Sequence, residues 1–174
     1  MIEQLVLPVS ESDLEGLAQL LADTVNAGAA IHFLAPLSPE QTRDWWRKTI
    51  ANSPATAIFL VARDAEGIAG TVQLQPATAP NQPHRAEVAK LMVHPRSRRS
   101  GLGEQLMRAV EDAARQAGFT LLTLDTRSGD AAERLYGRLG WSVVGKIPRF
   151  ALNSDKTFHA ATIFYKDLNP ARDS

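Results

Sequence analysis

Between Val93 and Ala117 the sequence runs a strand end, a basic turn and a helix in immediate succession. His94-Pro95 leads into Arg96-Ser97-Arg98-Arg99-Ser100-Gly101-Leu102-Gly103, and an apolar stripe follows. The paired glycines let main chain approach a ligand closely and let several N–H groups point one way. A helix starting there adds the partial positive charge of its N-terminus. Arg96, Arg98 and Arg99 add whole charges. The combination suits a pyrophosphate. It is not a P-loop, because no Lys follows Gly103. It is not a dinucleotide fingerprint either: the third glycine position holds Leu106, and the turn follows several strands instead of opening the first βα unit. The plain alternative is a helix that simply starts at a glycine turn beside solvated arginines.

The elements around the turn follow from periodicity. Ile2 to Val9 predicts a short first strand. Ser12-Asp13-Leu14-Glu15 offers a cap, and Leu14, Leu17, Ala18, Leu21 and Val25 give a helical stripe that fades at Gly28. Ser38-Pro39-Glu40 starts a second helix bearing Trp45, Trp46 and Ile50, closed before Pro54. Ala57–Ala62 and Ile68–Leu74 form a hairpin across Asp64-Ala65-Glu66-Gly67. Pro76 to Pro83 is a surface loop, and Ala86 to Val93 is the strand before the turn. Leu102, Leu106, Val110, Ala113, Ala114 and Ala117 share one face of the central helix, which stops at Gly118. Leu121–Leu124 is a strand with Asp125 at its end, and Ala131–Leu139 a short helix. Trp141–Val144 and Thr157–Tyr165 are the last strands. The fold class is α/β, a mixed central sheet of about seven strands flanked by about four helices.

Composition narrows the function classes. A chain of 174 residues predicts one domain, 1–174, able to bury about 70% of its unfolded surface without staples. Lys plus Arg is 19 and Asp plus Glu is 19, so no net basic face favours nucleic acid or anionic lipid. The absence of cysteine removes thiol catalysis and disulfides and fits a cytoplasmic setting. Met1-Ile2-Glu3-Gln4 does not start a signal peptide, and no apolar run approaches the ~20 residues that span a bilayer. His32, His84, His94 and His159 show no metal-ligand spacing, so no metal is expected, and His94 reads as structural.

Two stretches match a family. The Arg98-x-x-Gly101-x-Gly103 turn after Val93-His94-Pro95 resembles the acetyl-CoA-binding motif of the GNAT N-acetyltransferase superfamily. Ala132-Glu133-Arg134-Leu135-Tyr136-Gly137-Arg138-Leu139-Gly140-Trp141 resembles its second signature, which carries a tyrosine near the CoA sulfur. Arg85-Ala86-Glu87-Val88, Lys90-Leu91-Met92-Val93, Gly101-Leu102-Gly103, Leu124-Asp125-Thr126 and Ala161-Thr162-Ile163-Phe164-Tyr165-Lys166 look like the tabtoxin resistance protein branch. That branch inactivates an amine-bearing β-lactam toxin. One departure is Gly129, which stands where the superfamily often has Asn.

The resemblance implies a GNAT fold and direct acetyl transfer from acetyl-CoA to a primary amine of a small molecule, amino-acid-like or a β-lactam toxin. It assigns the cofactor to Leu91, Met92, Val93, Arg98, Arg99, Ser100, Gly101, Leu102, Gly103, Glu104, Ala132 and Tyr136, with the main chain of Met92 and Val93 at the acetyl carbonyl. Tyr136 would donate to the leaving thiolate, and Glu87 and Asp125 are the proposed acids for proton removal through water. The opposing readings are Glu87 paired with Arg85 or Lys90 on a solvated face, Asp125 capping a turn, and Tyr136 in the core. His32, Phe33 and Glu87 are expected to wall the acceptor site, and Trp45 and Trp46 to be mostly core. Peptide amines, or a non-catalytic acetyl-CoA sensor, are the alternative functions. Neither nucleic acid nor a membrane is expected as partner, and a homodimer is left open.

Overall fold

The computed structural model describes residues 1–169; residues 170–174, which the expected domain included, lie outside the described residues. The elements are β1 (Ile2–Gln4), α1 (Glu11–Asn26), α2 (Pro39–Asn52), β2 (Ile58–Asp64), β3 (Gly67–Pro76), β4 (Arg85–Val93), α3 (Leu102–Gln116), β5 (Leu121–Arg127), α4 (Ala131–Arg138), β6 (Ser142–Leu152) and β7 (Phe158–Asp167). The 7-stranded sheet has the order β1-β2-β3-β4-β5-β7-β6. β4 and β5 are parallel and the other neighbours antiparallel. This is the mixed sheet and helix complement that the periodicity indicated.

Alternation along the strands divides the core into two layers. Leu60, Val72, Leu74, Ala86, Val88, Leu122 and Leu124 face α3 and α4, where they meet Leu106, Val110, Tyr136 and Trp141. Phe59 and Val61 face α1 and α2, where they meet Leu14, Leu17, Leu21 and Trp46. Ser38 and Gln41 close α2 as a capping box, with Pro39 in the first turn. α1 is capped by Ser10, which accepts from Asp13 N–H at 3.1 Å, and not by Ser12.

Two features of β4 shape the centre of the sheet. Ala86 and Val88 lie in the α3 layer but Met92 lies in the α1 layer. Strict alternation would put all three together. The strand changes face at Lys90, whose φ is 52°, where pairing with β3 slips between Gln73↔Ala89 and Thr71↔Met92. This is a β-bulge. Second, β4 pairs with β5 only from Arg85↔Leu121 to Glu87↔Thr123. Beyond that point β5 keeps its pairing with β7 as far as Arg127↔Ala161, and β4 continues alone on this side. A gap opens in the middle of the sheet.

Four expectations need correction. The first strand ends at Gln4, not Val9: Leu5 N–H still reaches Phe59 O at 2.9 Å, but Val6 and Leu7 are exposed and Pro8 offers no donor. Asp125 is inside β5, which runs on to Arg127, so it caps no turn. β6 continues past Val144 to Leu152, because an outer strand tolerates Pro148 and a register slip between Ile147 and Ala151. Ala117 is the exposed C-cap of α3; Met107 and Glu111 take buried places that the stripe left out.

Candidate active site

The gap between β4 and β5 opens into a cavity of about 580 Å³. On the α1 side it is walled by His32 and Phe33 of the α1–α2 loop, by Glu87 and Lys90 of β4, and by Asp125 of β5. On the α3 side it is walled by Ala132 and Tyr136 of α4. Leu122 and Leu124 point to the α3 layer, so Asp125, one step further along β5, points to the opposite face. Tyr136 belongs to the α3 layer. One cavity touching both must pass through the sheet, and the parting of β4 from β5 provides the passage.

The acceptor-side groups form a connected cluster. His32 Nε2 lies 3.4 Å from Asp125 Oδ2, and His32 Nδ1 lies 2.9 Å from Lys90 Nζ. The His32 contact holds the Asp125 carboxyl below the usual carboxylate range. Lys90 sits 5.9 Å from the Phe33 ring centroid and 5.6 Å from that of Trp45. Burial pushes its ammonium below the usual lysine range, against the opposing charges of Asp125 and Glu87. Glu87 is exposed, and the opposing reading of a pairing with Arg85 is not met: the Arg85 guanidinium bonds Gln82 at 2.7 Å and Thr123 at 3.1 Å. Among the described residues no hydrogen bond or ion pair engages the Glu87 carboxylate. Trp46 is fully buried as expected, but Trp45 is only partly buried, edge-on to Phe33 at 5.1 Å.

Tyr136 is 5% exposed, with its ring 6.1 Å from Trp141 and 5.7 Å from Phe164. Its ring is therefore core, while the side chain also forms part of the cavity wall. Burial pushes the phenol pKa up, and the charge of Asp125 pushes it the same way. No described residue hydrogen-bonds its hydroxyl.

The basic turn divides its arginines. Arg96 does not face a ligand: it binds Asp64 at 3.1 Å and Ile68 O at 3.2 Å, fastening the turn to the β2–β3 hairpin. Arg98 and Arg99 are exposed, and Arg99 takes φ 62°. His94 is structural, accepting from Arg96 N–H at 3.2 Å through Nδ1, with Nε2 3.0 Å from Asp23 of α1. The Ser100 hydroxyl donates to Ser97 O at 2.7 Å. Gly101 is the N-cap of α3 with φ 79° and no side-chain cap bond. The N–H groups of Leu102, Gly103 and Glu104 have no partner within the helix, and the Glu104 carboxylate is turned to Arg108 at 2.8 Å. A methyl placed on Gly103 would stand 3.5 Å from Leu135 and 3.8 Å from Val93. The helix start thus adjoins both the end of β4 and α4. Leu91 lines the cavity, whereas the Met92 side chain is buried in the α1 layer and its main chain pairs with Thr71 of β3, so the expected Met92 contact is not on the gap side.

These residues suit a long ligand with a diphosphate at one end and a reactive group at the other. The sequence reading missed Lys90, Arg127, Asp130 and His159, all of which line the cavity. Arg127 and Asp130 neutralise each other at 2.9 Å. No spacing in the sequence marks any of the four.

Residues 22–141 match the profile of the acetyltransferase (GNAT) family, well over half of the chain. An uncharacterized N-acetyltransferase from the hisH-hisA intergenic region of Azospirillum brasilense is 34% identical over 117 residues, 66% of this chain and 68% of that one. The fold is similar to that of yncA from Salmonella typhimurium, solved with its cofactor acetyl-CoA, with TM-score 0.78, 19% identity and coverage of 100% of this chain and 96% of that one. It is also similar to an N-acetyltransferase from Staphylococcus aureus Mu50, with TM-score 0.79, 15% identity and coverage of 97% and 98%.

Proposed function

The chain belongs to the acetyltransferase (GNAT) family and is an acetyl-CoA-dependent N-acetyltransferase; from that premise we propose that its acceptor is a primary amine on a small molecule, amino-acid-like or a β-lactam toxin. The observation that carries this reading is the cavity through the sheet. Its volume of about 580 Å³ lies in the range of small-ligand sites, about 300–1,000 Å³. The α1–α2 loop walls its acceptor side. Of the stretches that look like the tabtoxin resistance branch, Arg85–Val88, Lys90–Val93 and Leu124–Thr126 contribute to its lining, and Gly101–Gly103 and Ala161–Lys166 do not.

Acetyl-CoA supplies an activated acyl group as a thioester. The N–H groups at the start of α3, with Arg98 and Arg99, hold its diphosphate. The unpaired edge of β4 offers the main chain of Leu91 and Val93 to the pantetheine and the acetyl carbonyl, whereas Met92, one step out of phase, turns its main chain toward Thr71 of β3. Such fixed donors contribute about 3 kcal/mol once charge builds on that oxygen.

An alkylamine has a pKa near 10.4, so it must shed a proton before it attacks. Glu87 takes that proton through water, because its carboxylate has no competing partner. Asp125, already bound to His32 and less basic for it, positions the loop and Lys90 instead. Tyr136 is a phenol at neutral pH, as tyrosine ordinarily is, and burial raises its pKa further. It donates a hydrogen bond to the departing sulfur rather than surrendering its proton, since a thiol is the stronger acid at about 8.5. Without cysteine no thioester intermediate can form on the enzyme, in keeping with direct transfer in a ternary complex.

A thiol-release screen with purified protein over amino acids, β-lactam dipeptides, polyamines, aminoglycosides and peptides tests the reading. Turnover among the small amines supports it. Turnover confined to peptides overturns it.

A further inference from the structure

Lys90 is an expensive residue to place where it is. It occupies left-handed backbone at φ 52°, a conformation L side chains rarely adopt. Its ammonium is partly withdrawn from water between the rings of Phe33 and Trp45. Its hydrogen-bond partner is a histidine, at 2.9 Å, and not a carboxylate. A buried cation is ordinarily paired with an anion. The other charges facing the cavity are already committed: Asp125 to His32 and Arg127 to Asp130. That leaves one cation without a direct anionic partner, Lys90, and one free carboxylate, Glu87, three residues apart along the same strand.

We propose that Lys90 reads a carboxylate on the acceptor, so that the enzyme selects amino acids and their close relatives over simple amines. The inference rests on the cavity being the acceptor site and deepens that reading. The ammonium has three donors, one of which is used on His32. The remaining donors face an acceptor carboxylate, while the rings of Phe33 and Trp45 line the space beside it. The acceptor amine lies toward Glu87, several ångströms along β4. His32 holds the Lys90 ammonium in place and links it to Asp125, which makes His32 a positioning residue.

The experiment compares matched acceptors: methionine with 3-(methylthio)propylamine, phenylalanine with phenethylamine, and lysine with cadaverine. Free thiol release gives kcat and KM for wild type, Lys90→Gln and Lys90→Arg, with thermal denaturation to show that each variant folds. Charge-assisted hydrogen bonds of this kind correspond to about 10- to 100-fold. Wild type should therefore favour the acid member of at least one pair by that factor in kcat/KM. Lys90→Gln should lose that preference chiefly through KM of the acid member, and Lys90→Arg should recover part of it. Equal kcat/KM for both members in wild type would overturn the assignment. So would an equal loss for both members in Lys90→Gln, which would mark Lys90 as part of the proton path. Turnover of polyamines or aminoglycosides alone would overturn the role of Lys90 but keep the small-molecule reading. Turnover of peptides alone would overturn both.

Discussion

Tyr136→Phe separates a chemical role from a structural one more cleanly than any other change in the site. The ring is 5% exposed and packs against Trp141 and Phe164, so removing it altogether would open a cavity. An Ala at this position would cost about 3–5 kcal/mol and report only on folding. Phe keeps the ring and removes one oxygen. That oxygen has no hydrogen-bond partner among the described residues, so its loss orphans no buried donor or acceptor. Stability should change by less than about 1 kcal/mol. For a chain of this size that moves Tm by no more than about 4 °C. The rate should respond differently. Losing a donor to the leaving sulfur should lower kcat by about 10²-fold, near 2.7 kcal/mol of barrier, with the Kd for acetyl-CoA changed by less than about threefold. Calorimetry for CoA, thermal denaturation and thiol-release kinetics on one preparation give all three quantities. A folded Tyr136→Phe enzyme with wild-type kcat would refute the reasoning and leave Tyr136 as core alone.

The other predictions concern the cofactor turn and the proton path. Gly103→Ala has room for its methyl between Leu135 and Val93 and gains helix propensity; it should raise stability by up to about 1 kcal/mol while weakening CoA binding at least about tenfold, as read by calorimetry. Gly101→Ala should weaken both, because φ 79° is strained for any L side chain. Arg98→Met and Arg99→Met should each weaken CoA binding by about three- to tenfold and flatten its salt dependence, whereas Arg96→Met should leave affinity near wild type. Arg96 holds the Asp64 carboxyl down to about 2; a depressed carboxyl stabilises the fold above its ordinary range and ceases to as pH falls through that lowered value. Arg96→Met should therefore shift acid unfolding, followed by circular dichroism, to higher pH. Glu87→Gln should lower kcat more than Asp125→Asn does at neutral pH, and only the latter should loosen the α1–α2 loop in hydrogen exchange.

Most of the scaffold was legible because its signals are local. The start signal at Ser38-Pro39-Glu40, the glycine stops and the stripe of α3 each depend on residues a few positions apart. What escaped depends on contacts made across the sequence. Ala86, Val88 and Met92 look like one alternating face, and only the bulge at Lys90, which has no glycine to announce it, sends Met92 to the other layer. The strand containing Asp125 looked finished because its next residues are polar; they are polar because they face the cavity, not because the chain turns. The three arginines of the turn looked equivalent until Asp64, far back in the chain, claimed Arg96. In the sequence Lys90 stands in a family-like stretch and as a surface partner for Glu87, but nothing marks it as a cavity residue, since neither its aromatic neighbours nor His32 is close in sequence.

The main claim is that the nucleotide half of the cofactor rests on the start of α3 and its acyl end passes through the opening between β4 and β5. A crystal structure of the protein with CoA tests this directly. It should show the diphosphate oxygens within hydrogen-bond distance of the N–H groups of residues 101–104 and the sulfur beside the Tyr136 hydroxyl. A nucleotide bound elsewhere, or an opening closed by the enzyme's own side chains with CoA excluded from it, would contradict the account.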